Sequence, residues 1–82
     1  MHQVPPAALI NIAYKSRLSR ENPNNEKAKR DMEDAVDIAI QFVLGEGDKE
    51  ILANIENELS QKIPDYEGYK EEMNQILQKE RE

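Results

Sequence analysis

The chain has 82 residues, a net charge of −6 and no cysteine. Its length indicates one domain with a small core, and the lack of cysteine excludes a disulfide framework and thiol chemistry. The charge is uneven: residues 1–30 carry six Lys or Arg and two Glu, whereas residues 31–82 carry five Lys or Arg and fifteen Asp or Glu. An acidic surface of this kind repels phosphate, which argues against direct binding of nucleic acid.

The first predicted helix runs from about Pro6 to Ser19. Residues 1–4 are expected to form a short flexible arm, and proline suits the first turn of a helix because its missing N–H would be unpaired there. Its basic end, with Lys15, Arg17 and Arg20, is expected to pack near acidic residues of later helices. The apolar residues of this helix are Leu9, Ile10, Ile12, Ala13, Tyr14 and Leu18.

The second predicted helix, from about Asn25 to Leu44, contains the most apolar stretch of the chain, AVDIAIQFVL at 35–44. Asn24 or Asn25 can cap its start, and Gly45 suits the left-handed residue that follows a helix. Ten helical residues rise only about 15 Å, half of a bilayer's hydrocarbon core, so the stretch is not a membrane span.

Two adjoining stripes run along this second helix at spacings of three and four residues. We predict that Val36, Ile40 and Val43 are buried in the core of the monomer, because their side of the helix is the densest in apolar residues. The first stripe consists of Ala28, Met32, Val36, Ala39 and Val43, and the second of Ala35, Ile38 and Phe42.

Two shorter helices follow. Asp48 can cap a third helix, Lys49 to Ile63, which Pro64 ends, and Asp65 can cap a fourth, Tyr66 to Lys79. Residues 80–82 are expected to form a frayed tail. The predicted fold is therefore one all-α domain over 1–82, a small bundle of about four helices with short loops. The apolar stripes are Leu52, Ile55, Leu59 and Ile63 in the third helix and Tyr66, Tyr69, Met73, Ile76 and Leu77 in the fourth.

No pattern of residues predicts an enzyme, a cofactor or a metal centre. The single histidine, His2, lies in the expected arm, so Ser16, Ser19 and Ser60 have no folded histidine as a base. A dinuclear carboxylate site would need Glu-x-x-His motifs, which the sequence lacks. The acidic pairs Glu56 with Glu58 and Glu71 with Glu72 are expected to be solvated helix faces.

The opening MHQVPPAALINIAYKSRLSR, together with the acidic helical remainder, resembles the lysis-inhibition accessory proteins of T-even-type bacteriophages, which are small cytoplasmic antiholins. The resemblance extends over the whole chain. It implies a non-enzymatic regulator that binds the cytosolic N-terminal segment of the phage holin and delays host lysis. It also implies location in the host cytoplasm, and it assigns no binding residue.

The residues themselves are compatible with a regulator that holds an amphipathic segment of another protein in an apolar groove. Candidate contacts are Ile12, Ile38 and Phe42, which lie off the main apolar lines, and a homodimer would cover the same surface. The alternative is an acidic regulator of a nucleic-acid-binding protein, as a DNA mimic or transcription modulator. No signal peptide is expected, because the N-terminus has no charged region followed by an apolar run.

Overall fold

The computed structural model describes residues 4–81, which form four α-helices and no β-strand: α1 (Pro6–Glu21), α2 (Glu26–Val43), α3 (Lys49–Lys62) and α4 (Tyr66–Arg81). The predicted all-α fold is therefore confirmed. Residues 1–3 of the predicted arm and Glu82 of the predicted tail lie outside the described residues, whereas residues 80 and 81 continue the backbone of α4.

Capping residues and a glycine set the boundaries of the helices. The Oδ1 atom of Asn25 accepts hydrogen bonds from the backbone N–H groups of Lys27 at 3.0 Å and Ala28 at 3.2 Å, which caps the start of α2. Asp48 caps α3 in the same way, through a 2.8 Å bond from the N–H of Glu50. Gly45, with φ of 80°, follows α2 in the left-handed conformation that favours glycine.

Helix α1 is the centre of the bundle. It packs against each of the other three helices, and α3 also touches α4, whereas within residues 4–81 the packing of α2 against other helices is confined to α1. Small residues dominate what α1 and α2 bury, and small side chains allow two helix backbones to approach closely. The buried alanines are Ala7 and Ala8 in α1 and Ala35 and Ala39 in α2.

The larger apolar side chains form a core where α1, α3 and α4 pack together, and Ile38 of α2 packs against it. Leu59 is completely buried there. Because three helices contribute to this core, it connects α1 to α3 and α4 through side-chain packing. Its buried members are Ile10, Ile55, Leu59 and Tyr66, with Tyr14, Ile38, Ile63 and Met73 packed around them.

The prediction for the dense stripe of α2 was wrong. Val36 and Ile40 are exposed, and Val43 is only half-buried. Helix α1 covers the side of α2 that carries Ala35 and Ala39, and residues one position further along the chain are rotated by about 100° around the helix. That rotation turns Val36 and Ile40 away from α1 and leaves them facing outward.

The basic end of the first helix does approach an acidic later helix, as predicted, and it does so through Lys15. The Nζ atom of Lys15 lies 2.8 Å from Oε1 of Glu58 in α3. Arg17 instead pairs with Glu21 of its own helix at 3.1 Å, and Arg20 is exposed. The ion pair between α1 and α3 is therefore made six residues before the C-terminal end of α1.

Candidate docking surfaces

The most exposed apolar feature of the bundle is a line of three side chains on α2, here called the apolar row: Val36, Ile40 and Leu44. Their exposed fractions are 38%, 49% and 63%. Residues four apart lie one above the other on a helix. Leu44 caps α2 with right-handed helical angles, φ −80° and ψ −3°, so the row continues past the end of the helix.

The apolar row is available because α2 has α1 as its helical neighbour and leaves the rest of its circumference free. Met32 and Val43 are half-buried and border the row on the side that turns toward α1. A segment lying along the row could therefore contact five apolar side chains, from Met32 to Leu44. Their spacing matches the anchor positions of a helix packed side by side with another helix.

Carboxylates border the opposite side of the apolar row. Glu33 and Asp37 fall on that side at 100° per residue, and both are exposed, with no ion pair to any described residue. From Asp31 to Asp48 the sequence holds six Asp or Glu and no Lys or Arg. Two cations on that side, Lys29 and Arg30, lie one turn before Glu33. The surface around the row is therefore acidic.

A second apolar surface is a groove of about 510 Å³ between α1, α4 and the connection from α3 to α4. Its charged residues are Arg17, Glu21 and Lys62, and Arg17 is already paired with Glu21. Tyr69, with an exposed fraction of 56%, forms one edge. The apolar residues that line this groove are Ile10, Ala13, Tyr14, Leu18, Ile63, Pro64, Tyr69 and Met73.

The structure does not gather the three predicted contact residues into one surface. Ile38 is half-buried and packs against the core. Phe42 is half-buried, and its ring fills the space next to Gly47 where a Cβ would otherwise stand. Ile12 is half-buried on α1 and does not line the groove. Their role in binding a partner stays a prediction.

The apolar row was missed at the level of sequence, although a signal for it exists. On a helical projection Glu33 and Asp37 share the side of Val36 and Ile40. A carboxylate on the same side of a helix as an apolar pair indicates a surface facing water. The density of apolar residues alone does not distinguish the buried side of α2 from the side that faces water.

Two buried polar atoms lie close to the core and have no hydrogen-bond partner among residues 4–81: Oδ1 of Asn11 and the hydroxyl of Tyr66. Burial, together with nearby Glu56, raises the pKa of Tyr66. The carboxylate of Glu56, 2.7 Å from Nζ of Lys70, raises the pKa of Lys70 through the hydrogen bond between them. Both shifts favour the protonated form, so the phenol of Tyr66 and the ammonium of Lys70 are retained at pH 7.

Two further observations concern other kinds of site. Residues 4–81 contain no group of three or more His, Cys, Asp or Glu that could hold a metal ion. None of the four helices, over the part of the chain that the structure describes, has both the length and the apolar character needed to cross a bilayer.

Comparison with protein-family models, with curated proteins and with solved structures finds no match to this chain.

Proposed function

We propose that this protein is a non-enzymatic regulator that binds an amphipathic helical segment of another protein along the apolar row. The observation that supports the proposal is the exposure of Val36, Ile40 and Leu44 in one line on a helix with a single helical neighbour. A partner helix beside α2 would bury these side chains and complete the layer of helices around α1. This is the helix-against-apolar-surface mode of peptide recognition.

The apolar row alone supports only weak binding. Burying a whole Val, Leu or Ile side chain is worth about 1.5–3 kcal/mol, and each side chain of the row is already partly covered. The three together then contribute about 3 kcal/mol, whereas micromolar affinity requires about 8 kcal/mol. The partner must therefore also contact Met32, Val43 or the charged border.

The resemblance to the T-even-type antiholins supplies a specific partner for this proposal. On that reading the bound segment is the cytosolic N-terminal segment of a phage holin, the protein acts in the host cytoplasm, and binding delays lysis. The segment of such a partner would lie close to the inner membrane, on the side that this protein reaches.

The groove between α1 and α4 is the second candidate for the same function. It is concave and largely apolar, which favours a ligand helix. However, its depth is built from Ile10, Tyr14 and Met73, which also pack in or around the core. The apolar row, in contrast, contributes no side chain to the core of the described residues, so we assign the segment to the row.

The test is titration of the protein with a labelled peptide covering the cytosolic N-terminal segment of a T-even-type holin, followed by fluorescence anisotropy. Ile40→Ser should weaken binding at least tenfold. Ile76→Ser on α4 is the matched control, because Ile76 has a similar exposed fraction, 46% against 49%, and lies outside both surfaces. Tyr69→Ser reports on the groove.

Circular dichroism of each variant shows that the fold is retained. Loss of binding in Tyr69→Ser but not in Ile40→Ser would move the site to the groove. Equal loss in Ile40→Ser and Ile76→Ser would show non-specific adhesion. No binding of the wild-type protein at high micromolar peptide would remove the holin segment as the partner. A steep loss of binding at high salt, with Ile40→Ser unaffected, would favour the acidic regulator instead.

A further inference from the structure

We infer that the segment bound along the apolar row is a cationic amphipathic helix, with Lys or Arg on the edge that meets Glu33 and Asp37. The inference rests on the proposed function and adds the chemistry of the partner. The observation behind it is the juxtaposition of an exposed apolar line with a one-sided border of unpaired carboxylates.

Among the described residues no Lys or Arg side chain forms an ion pair with these carboxylates, although Lys29 and Arg30 lie one turn before Glu33. Four ion pairs exist among the described residues, and Glu33, Asp34 and Asp37 take part in none of them. Asp31, by contrast, is paired with Lys27 at 3.1 Å. A partner that brings cations to Glu33 and Asp37 would therefore form new pairs without breaking existing ones.

The end of α2 adds to the negative potential. The last turn of α2 contains no basic residue, so the carbonyl end of the helix dipole is not offset by a side chain. Leu44, the most exposed member of the row, sits at that end. Glu46 and Asp48 follow in the next turn. A cation near Leu44 would meet both the dipole and these carboxylates.

The same charges disfavour the other occupants of an apolar row. A bilayer with anionic headgroups would be repelled by the border. A second copy packed antiparallel through the same row would place the two carboxylate borders along one edge, where like charges oppose association. A protein segment carrying cations is the occupant that fits both the apolar line and its border.

Each exposed ion pair formed with the partner should strengthen binding by roughly 1.4- to 5-fold. Two pairs, at Glu33 and Asp37, are then worth about tenfold at low salt. Pairs at the edge of an interface are screened by added salt, so this preference should shrink as salt is added. The apolar contribution of the row should change far less.

The experiment uses two designed peptides of equal helicity, with identical Leu anchors at spacings of three and four. One carries Lys at the edge positions, and the other carries Glu at the same positions. Binding to the full chain is measured at about 20 and 500 mM salt. We expect the Lys peptide to bind about tenfold more tightly at low salt, with the difference largely lost at high salt. In the double variant Glu33→Gln, Asp37→Asn the preference should fall severalfold.

Ile40→Ser should weaken the binding of the Lys peptide as well, which separates docking on the row from attraction to the overall negative charge. Equal affinity for the two peptides would overturn the inference, as would a preference that the double variant leaves unchanged. Absence of binding of the Lys peptide would overturn it too. Concentration-dependent dimerisation that Ile40→Ser abolishes, seen by analytical ultracentrifugation, would assign the row to a second copy.

These outcomes are independent of the holin-segment titration that tests the proposed function. If the holin segment binds through Ile40 and the double variant does not change its affinity, the proposed function is supported and the inference about a cationic partner is wrong. If the Lys peptide binds as expected but the holin segment does not, the inference about a cationic partner is supported and the holin segment is not the ligand.

Discussion

Lys15 in α1 donates a hydrogen bond of 2.8 Å from its ammonium group to Glu58 in α3, and the same ammonium lies 5.6 Å from the centre of the Tyr14 ring. This contact joins the basic first third of the chain to its acidic remainder. The opposite charges of the two parts thus form an ion pair within the fold. The uneven charge of the chain does not by itself indicate a docking site on α1.

The first prediction concerns this pair. We expect Glu58→Gln to lower the free energy of unfolding by no more than about 1 kcal/mol, because Glu58 is about half exposed and solvent screens the pair. Urea denaturation of Lys15→Met, Glu58→Gln and the double variant gives the coupling energy. Arg17→Gln, which breaks the more exposed pair within α1, is the control and should cost less.

The second prediction tests which apolar residues form the core. Leu59→Ala should destabilise the protein by about 2–5 kcal/mol, since it opens a cavity at a completely buried position. Ile40→Ala, on the apolar row, should cost less than about 1 kcal/mol. Thermal melting of both variants checks this. A larger loss in Ile40→Ala than in Leu59→Ala would show that α2 packs through the row.

The helix boundaries could be predicted from local chemistry. Pro6, Asn25 and Asp48 start helices, while Gly45 and Pro64 follow their ends, because each residue acts on backbone groups within one turn. Such effects do not depend on the rest of the fold. The four predicted helices therefore agree with the structure to within about two residues at each end.

The packing of α2 could not be predicted in the same way. Its apolar residues cover more than half of its circumference, so periodicity leaves open which side meets α1. Ala35 and Ala39 are the residues of α2 that become buried, since small side chains allow two helices to approach closely, and which side is buried depends on the surface that α1 presents. Val36 and Ile40 are exposed as a consequence, and the candidate site follows from packing that no local pattern encodes.

The third prediction concerns alkaline pH. Folding raises the pKa of Tyr66, mainly through burial, so ionisation of the tyrosine favours the unfolded chain. Lys70, whose pKa is raised by Glu56, likewise loses its stabilising charge as the pH passes that raised pKa. Both contributions are complete below about pH 10, the ordinary range of Tyr and Lys, and are lost above it. We therefore expect the free energy of unfolding to fall as the pH rises past 10.

Tyr66→Phe should reduce that fall. At pH 7 the substitution should also leave stability unchanged or raise it by about 1 kcal/mol, because it removes a buried hydroxyl that has no partner among the described residues. Tyr69→Phe is the matched control, since it removes the hydroxyl of an exposed tyrosine on the same helix. Urea denaturation from pH 7 to 11.5 measures both. A marked loss of stability in Tyr66→Phe at pH 7 would mean that the hydroxyl has a partner.

The last prediction concerns the turn that follows the apolar row. A Cβ at Gly47 would fall on the ring of Phe42, which is half-buried and has little room to move. Gly47→Ala should therefore displace the ring, disturb the end of α2 and cost about 1–3 kcal/mol of folding free energy.

Gly68→Ala is the control, because the atoms met by its Cβ belong to the side chain of Asp65, which is exposed and can turn aside. Alanine also favours the helix at that position, so Gly68→Ala should be neutral or stabilising. If Gly47→Ala melts like the wild type, the ring of Phe42 is not fixed against the turn. Phe42 would then be free to contact a partner, as the sequence first indicated.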